Sequence, residues 1–193
     1  MSTIVAIRKK DRAVIAADTQ VSEGSTLVSS EMLRSPTKIH AIGGGYMGIV
    51  GSVAHHRVIR SLATEKADYF NFESADALFE TLRRIHPILR DEYYLLTSEK
   101  DSDSQPYESN HMTGLVVSPA GVFSFDTYRE VSEYHSFWAV GSGGDYALGA
   151  LAAIYDSSES VEAVAEAAVT AACRFDSGSG LPIELRSVRL QQQ

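Results

Sequence analysis

Ser2 follows the initiator Met directly, and a small second residue lets an aminopeptidase remove Met1. Removal would leave Ser2 with a free α-amine beside its own hydroxyl. A hydroxyl is a poor nucleophile at its ordinary pKa and needs a base within reach; an N-terminal amine can be that base. An α-amine titrates at about pH 8, which suits a general base at neutral pH. Taken alone, Ser2 reads as a common second residue at a loose chain end, so its meaning rests on what the rest of the chain brings to it. Asp18 ends the apolar run Ile15-Ala16-Ala17. A carboxylate there must be paired or solvated, because burying it alone is costly. Gly141-Ser142-Gly143-Gly144 is a glycine loop between a strand-like and a helix-like stretch. Such a loop can hold phosphate at a helix N-terminus, but this one lacks the Lys-Ser/Thr of a P-loop and the full GxGxxG of a dinucleotide site. Asp176 and Ser179 share a glycine-containing turn, where both residue types are also ordinary turn formers. A metal-dependent reading on His55, His56, His86 or His111 finds no ligand spacing such as HExxH. His55 and His56 are adjacent in a helical stretch and point to different sides.

These residues need elements to position them. Thr3 to Arg8 and Ala13 to Asp18 are β-rich runs joined by a Lys9-Lys10-Asp11-Arg12 turn. Both are apolar almost throughout, the pattern of interior strands covered on both faces. Thr19 to Gly24 reads as a polar connection, and Thr26-Leu27-Val28 as the start of another strand. Lys38 to Ile42 and Tyr46 to Val50 flank three glycines, a strand, tight turn and strand. Ser52 is a candidate N-cap for a helix carrying Val53, Val58, Ile59 and Leu62, and Ser74 one for a helix to Leu96 that contains Pro87. Ser98 to Asn110 reads as a polar, mobile loop. Met112 to Ser118 and Val122 to Phe125 form a hairpin, and Ser136 to Val140 a further strand. Asp145 to Tyr155 and Val161 to Arg174 are alanine-rich helices, Ile183 to Leu190 is a last strand, and Gln191 to Gln193 a tail. Tight turns make the strands antiparallel, so the fold is not doubly wound. Two antiparallel sheets stacked face to face, each with a helix pair outside, explain the order.

The chain has 193 residues, 44% hydrophobic and 22% charged, which suits a single domain over residues 1–193 with a sizeable core. A net charge of −8 argues against nucleic acid as the main partner and gives no basic membrane-docking face. Cys173 is the single cysteine, so no intrachain disulfide forms. Ile4 to Ile7 is too short for a signal peptide, no apolar run spans a bilayer, and a cytoplasmic protein is expected.

Across these stretches the chain resembles the N-terminal nucleophile hydrolases, specifically the proteasome β-subunit and HslV peptidase family. The resemblance is carried by Ser2 to Arg8, Ile15 to Gln20, Lys38, Gly48-Ile49-Val50-Gly51-Ser52, Val140 to Ala147, and Asp176-Ser177-Gly178-Ser179-Gly180. It covers essentially the whole chain and looks most like the small bacterial homologues. It implies an α+β fold, a four-layer αββα sandwich of two antiparallel sheets flanked by helix pairs. It implies a threonine-type endopeptidase mechanism with Ser2 as nucleophile and no cofactor or metal. Asp18 would pair with Lys38, which lowers the cost of hydroxyl deprotonation; Arg34 is the other basic residue in that segment. Ser142 would sit beside the amine and help move its proton, Asp176 and Ser179 would bind and orient the amine, and Gly48 would supply an oxyanion-hole N–H. Thr19, Val21 and Ser22 would pair with substrate backbone, and Tyr46 and Val50 would line the pocket for the side chain before the scissile bond. The family usually has threonine where this chain has Ser2, and the missing methyl removes restraint on the hydroxyl. Thr3 as nucleophile would need Ser2 trimmed and would shift the spacing to Asp18. The resemblance further implies a homo-oligomer of two stacked rings of six or seven subunits, fed by an AAA+ unfoldase. With Met1 retained, the alternative is an inactive or precursor ring-forming scaffold.

Overall fold

The computed structural model describes residues 1–28, 30–99, 105–157 and 160–191. The chain opens with a hairpin of β1 (Thr3–Lys9) and β2 (Arg12–Asp18). A small separate hairpin follows: β3 (Val21–Glu23), within what the sequence presents as a polar connection, and β4 (Thr26–Val28), where the sequence suggests a strand start. Then come β5 (Ile39–Ile42) and β6 (Gly45–Gly51), and helices α1 (Val53–Glu65) and α2 (Ala75–Asp91). The second half has β7 (Met112–Ser118), β8 (Gly121–Phe125), β9 (Val131–Tyr134) and β10 (Phe137–Gly141). It ends with α3 (Gly144–Ile154), α4 (Val161–Phe175) and β11 (Ile183–Arg189).

One sheet runs β10-β1-β2-β11 and the other β5-β6-β7-β8-β9, with every pairing antiparallel. Strand alternation sorts the apolar residues into three layers. Ile4, Ala6 and Ile15 face the other sheet and meet Leu115, Val117 and Val122. Val5, Ile7 and Val14 face outward and meet Ala165, Ala168 and Val169 of α4. On the far side Met47, Val116 and Phe123 meet Ile59 of α1 and Leu82 and Ile85 of α2. β1 and β2 are thus covered on both faces, as their unbroken apolar runs require. Alanine on α4 lets the helix lie close against the sheet.

The helix starts follow their caps. Ser52 accepts from the Ala54 N–H, Ser74 from Ala77 and Ser160 from Ala163. The second helix stops at Asp91 rather than Leu96, because the chain closes there with Tyr93 and Leu95 N–H bonds back to Ile88 and Leu89. β9 joins the edge of the second sheet through Val131 and Tyr134, a strand that the sequence signals only weakly. The expected loop at 98–110 lies partly, and the tail at 191–193 mostly, outside the described residues.

Candidate active site

The site is built around the start of β1. Thr3 is fully buried and pinned at two atoms. Its N–H donates to Asp18 Oδ1 at 2.9 Å, and its hydroxyl lies 2.7 Å from Ser179 Oγ. β1 and β2 are hairpin neighbours with Ile4 opposite Ala17, so the end of one strand brings Asp18 to the start of the other. Ser2 is thereby fixed rather than frayed, at 7% exposure.

Asp18 is fully buried, and four donors compensate it. Oδ1 accepts from Thr3 N–H and from Lys38 Nζ at 2.6 Å; Oδ2 accepts from Gln20 N–H at 3.1 Å and Gly180 N–H at 3.0 Å. Lys38 is 5% exposed. Burial drives its pKa below the ordinary 10.5, against the opposing pull of Asp18 and Glu184. Glu184 also sets where Lys38 sits. Its carboxylate accepts from the Thr37 hydroxyl at 2.6 Å and from the Lys38 and Ile39 N–H groups.

A second polar set meets Ser2 from the other side. Ser2 N–H donates to Ser142 Oγ at 3.2 Å. Ser142 and Ser179 both donate to Asp176 Oδ2, at 2.7 and 2.6 Å. Because the Ser179 hydroxyl donates to the Asp176 carboxylate, Thr3 is the donor in the Thr3–Ser179 contact. Burial alone would raise the Asp176 carboxyl; hydrogen bonds from Ser179, Ser142 and the Gly178 N–H outweigh it and hold it below the usual range. Gly141 allows this approach: a Cβ there would lie 2.0 Å from the Ser2 carbonyl oxygen, and its φ is +99°.

Ser2 opens onto a cavity of about 460 Å³ that Lys38, Gln20, Val21, Ser22 and Gly51 also line. Val21 and Ser22 lie on β3, which pairs with β4 on one edge and with no strand on its other edge among the described residues. That open edge can accept an extended peptide. With Met1 in place, that residue also lines the cavity, and Ser2 Oγ donates to the Met1 carbonyl. The Ser2 nitrogen is then an amide, with no lone pair available as a base.

The structure brings Ser2, Asp18, Lys38, Ser142, Asp176 and Ser179 together, and four other expected residues, Gly48, Thr19, Tyr46 and Val50, do not line the cavity at Ser2. Gly48 lies within β6, opposite Ile39 on one side and Leu115 on the other. A Cβ there would meet Ile4 and Ile15 at 3.0 Å, so this glycine serves the contact between sheets. Gly51, three residues on, is the one that lines the cavity, at φ +135° where β6 turns into α1. Thr19 is held by bonds to Gly180 and Pro182, which tie down the end of β2. Tyr46 lies at the other end of β6, in a shallow depression with Ala41, Ser187 and Val188, and Val50 packs between the sheets; neither lines the cavity at Ser2. Glu184, Gly51 and the anchoring contacts of Thr3 are features of the site that the sequence conceals. Glu184 sits in an unremarkable alternating strand, and only the register placing it opposite Ala17 reveals it.

Comparisons with known proteins agree with this architecture. Residues 1–188 match the sequence profile of the proteasome subunit family. The ATP-dependent protease subunit HslV of Caulobacter sp. (strain K31) is 28% identical over 186 residues, covering 92% of this chain and 90% of that one. The proteasome subunit beta of Nanoarchaeum equitans is 24% identical over 197 residues, covering 97% and 93%. Among solved structures, BPH of Thiobacillus denitrificans in complex with epoxomicin is 31% identical with a TM-score of 0.88, covering 98% of this chain and 100% of that one.

Proposed function

Because the chain belongs to the proteasome subunit family, we propose that it is a subunit of a self-compartmentalising endopeptidase whose nucleophile is Ser2. The observation that carries this is the convergence of two separate polar networks on Ser2 and Thr3, at the mouth of a cavity that the Lys38 side chain shares. Loss of Met1 turns the Ser2 nitrogen into a primary amine. The neutral amine takes the proton from Ser2 Oγ as that oxygen attacks the peptide carbonyl, and the tetrahedral oxyanion forms beside the Gly51 N–H. The ammonium then passes its proton to the departing amine, which leaves an ester on Ser2. Water, deprotonated by the same amine, attacks the ester and regenerates the hydroxyl. Lys38 stabilises the developing charge on the oxygen, and its own charge is kept in check by Asp18. Ser142, Asp176 and Ser179 hold the amine in place.

The whole of residues 1–193 acts as one peptidase domain, with no cofactor. It works in the cytoplasm in two stacked homo-oligomeric rings of six or seven subunits, and takes protein substrates from an AAA+ unfoldase. The name of the Caulobacter relative, an ATP-dependent protease subunit, supports that reading. A second reading has its own observation: with Met1 in place, Ser2 Oγ is bonded to the Met1 carbonyl, and the chain is an inactive or precursor ring subunit.

Intact mass before and after incubation with epoxomicin separates the two. A peptide epoxyketone needs a hydroxyl and a free α-amine on one residue. A chain without Met1 that gains one adduct, mapped to Ser2, supports the peptidase; a chain that keeps Met1 and gains nothing supports the scaffold. A Ser2→Ala variant that assembles and still cleaves peptides overturns the mechanism.

A further inference from the structure

The cavity at Ser2 has a charge that the mechanism does not use. Arg34, Arg57 and Arg60 line it, with Glu23 as the carboxylate facing them. Lys38 is committed to Asp18. Among the described residues none of the three guanidiniums is in an ion pair, although the chain as a whole carries a net charge of −8. Arg57 and Arg60 are neighbours one turn apart on α1. Arg60 Nε donates to the His56 carbonyl at 3.3 Å, which fixes the guanidinium and leaves its terminal nitrogens unbonded among the described residues. The remaining wall is aliphatic: Val21, Val28, Leu33, Pro36 and Val53. Burial, the adjoining His40 and the cationic Lys38 and Arg60 hold His56 down to about 3, so its imidazole is neutral here and adds no competing charge.

An aliphatic wall with unpaired guanidiniums fits a side chain with a short apolar stem and a terminal carboxylate. We propose that this cavity selects an acidic side chain on the residue whose carbonyl Ser2 attacks, so that the protein cleaves after glutamate in preference to neutral or basic residues. This rests on the assignment of Ser2 as nucleophile. Arg57 and Arg60 act as specificity-determining residues, with Arg34 closing the cationic side. The preference comes from charge-assisted bonds and is weakened by salt to the extent that the arginines stay hydrated.

The test uses the assembled, Met1-free protein and four fluorogenic peptides that differ only in the residue before the reporter: Glu, Gln, Leu or Lys. The expected result is a kcat/KM for Glu about tenfold above Gln, the scale of one charge-assisted bond, with Lys the poorest. Raising salt narrows the Glu/Gln ratio, and Arg57→Gln with Arg60→Gln brings it towards one. Equal or faster hydrolysis of the Leu or Lys peptide overturns the proposal and leaves Ser2 as nucleophile untouched. A Glu/Gln ratio that survives loss of both arginines overturns their role. No hydrolysis of any peptide, together with no epoxomicin adduct, removes the assignment of Ser2 and the proposal with it.

Discussion

Replacing Asp18 by Asn keeps the shape of the most buried polar group in the site and removes its charge. Asp18 is fully buried and receives four donors on two oxygens. An amide has one acceptor oxygen, so its NH2 must face two N–H donors that the carboxylate had satisfied, and Lys38 is left buried without its counter-ion. Breaking a buried ion pair from one side costs about 3–5 kcal/mol. Asp18 also holds the proton on Lys38, so without it the Lys38 pKa falls further and part of the cost is relieved by release of that proton. The lower end, about 3 kcal/mol, is therefore expected, a fall in Tm of about 6–12 °C for a chain of this size. Peptide hydrolysis falls by roughly 10²-fold or more, because the cation beside the nucleophile is lost along with the anchor of Thr3. Adding Lys38→Met to Asp18→Asn removes the stranded amine and recovers part of the stability but none of the activity. Thermal unfolding and steady-state hydrolysis of the three variants give the answer. A single Asp18→Asn variant that melts within about 2 °C of the parent, or that keeps most of its activity, refutes the buried pair as the organising contact.

Two further outcomes follow from the same geometry. Glu184→Gln keeps the bonding shape around Thr37, Lys38 and Ile39 but removes a charge that raises the Lys38 pKa; the alkaline limb of the pH–rate profile moves to lower pH and kcat falls with KM little changed, whereas a purely structural loss would leave the limb in place. His40 and His56, 3.0 Å apart, are held neutral, His40 at about 4 by burial and Arg60 and His56 at about 3 by burial and its charged neighbours. Between pH 6.5 and about 4 the unfolded chain binds protons the native chain refuses, so stability, measured by urea unfolding, falls as pH drops through that window, and His40→Gln flattens the fall.

The sandwich was legible because its strands and helices announce themselves locally. The unbroken apolar runs of Thr3 to Arg8 and Ala13 to Asp18 can exist only under cover on both faces, and Ser52 and Ser74 cap helices where they stand. The six polar residues at Ser2 were legible through their family resemblance and their order along the chain, not through any local signal. What stayed hidden depended on register. Gly48 and Gly51 are alike as letters, three residues apart on one strand, but one faces the opposite sheet at 3.0 Å and the other ends the strand at the cavity. Tyr46 lies away from the Ser2 cavity for the same reason: β6 spans the width of the sheet, so its two ends open on different surfaces. No signal in the sequence ties Arg57 and Arg60 to the cavity they line.

If Ser2 is the nucleophile, as proposed, its place at a chain terminus raises a physical difficulty that this fold answers. Fixing the backbone of each residue costs roughly 1–2 kcal/mol in entropy, and a terminus has chain on one side only to hold it. Here the holding comes from sequence distances of 15 to 176 residues, through Asp18 on the Thr3 N–H and Ser179 on the Thr3 hydroxyl. The anchor is thus the residue after Ser2, on a strand with neighbours on both edges. Ser2 itself donates its backbone N–H to Ser142 and its hydroxyl to Met1, and its carbonyl accepts from Ser142 Oγ at 3.5 Å. Removing Met1 consequently breaks no contact that fixes Thr3, and it frees the hydroxyl and the amine together. On that account the site is assembled before it is active, and the serine's lack of a β-methyl is offset by the rigidity of its neighbour. If Thr3→Val, which deletes the hydroxyl but keeps the branched shape, left the yield of epoxomicin adduct unchanged, the restraint would have to lie in Ser2 after all.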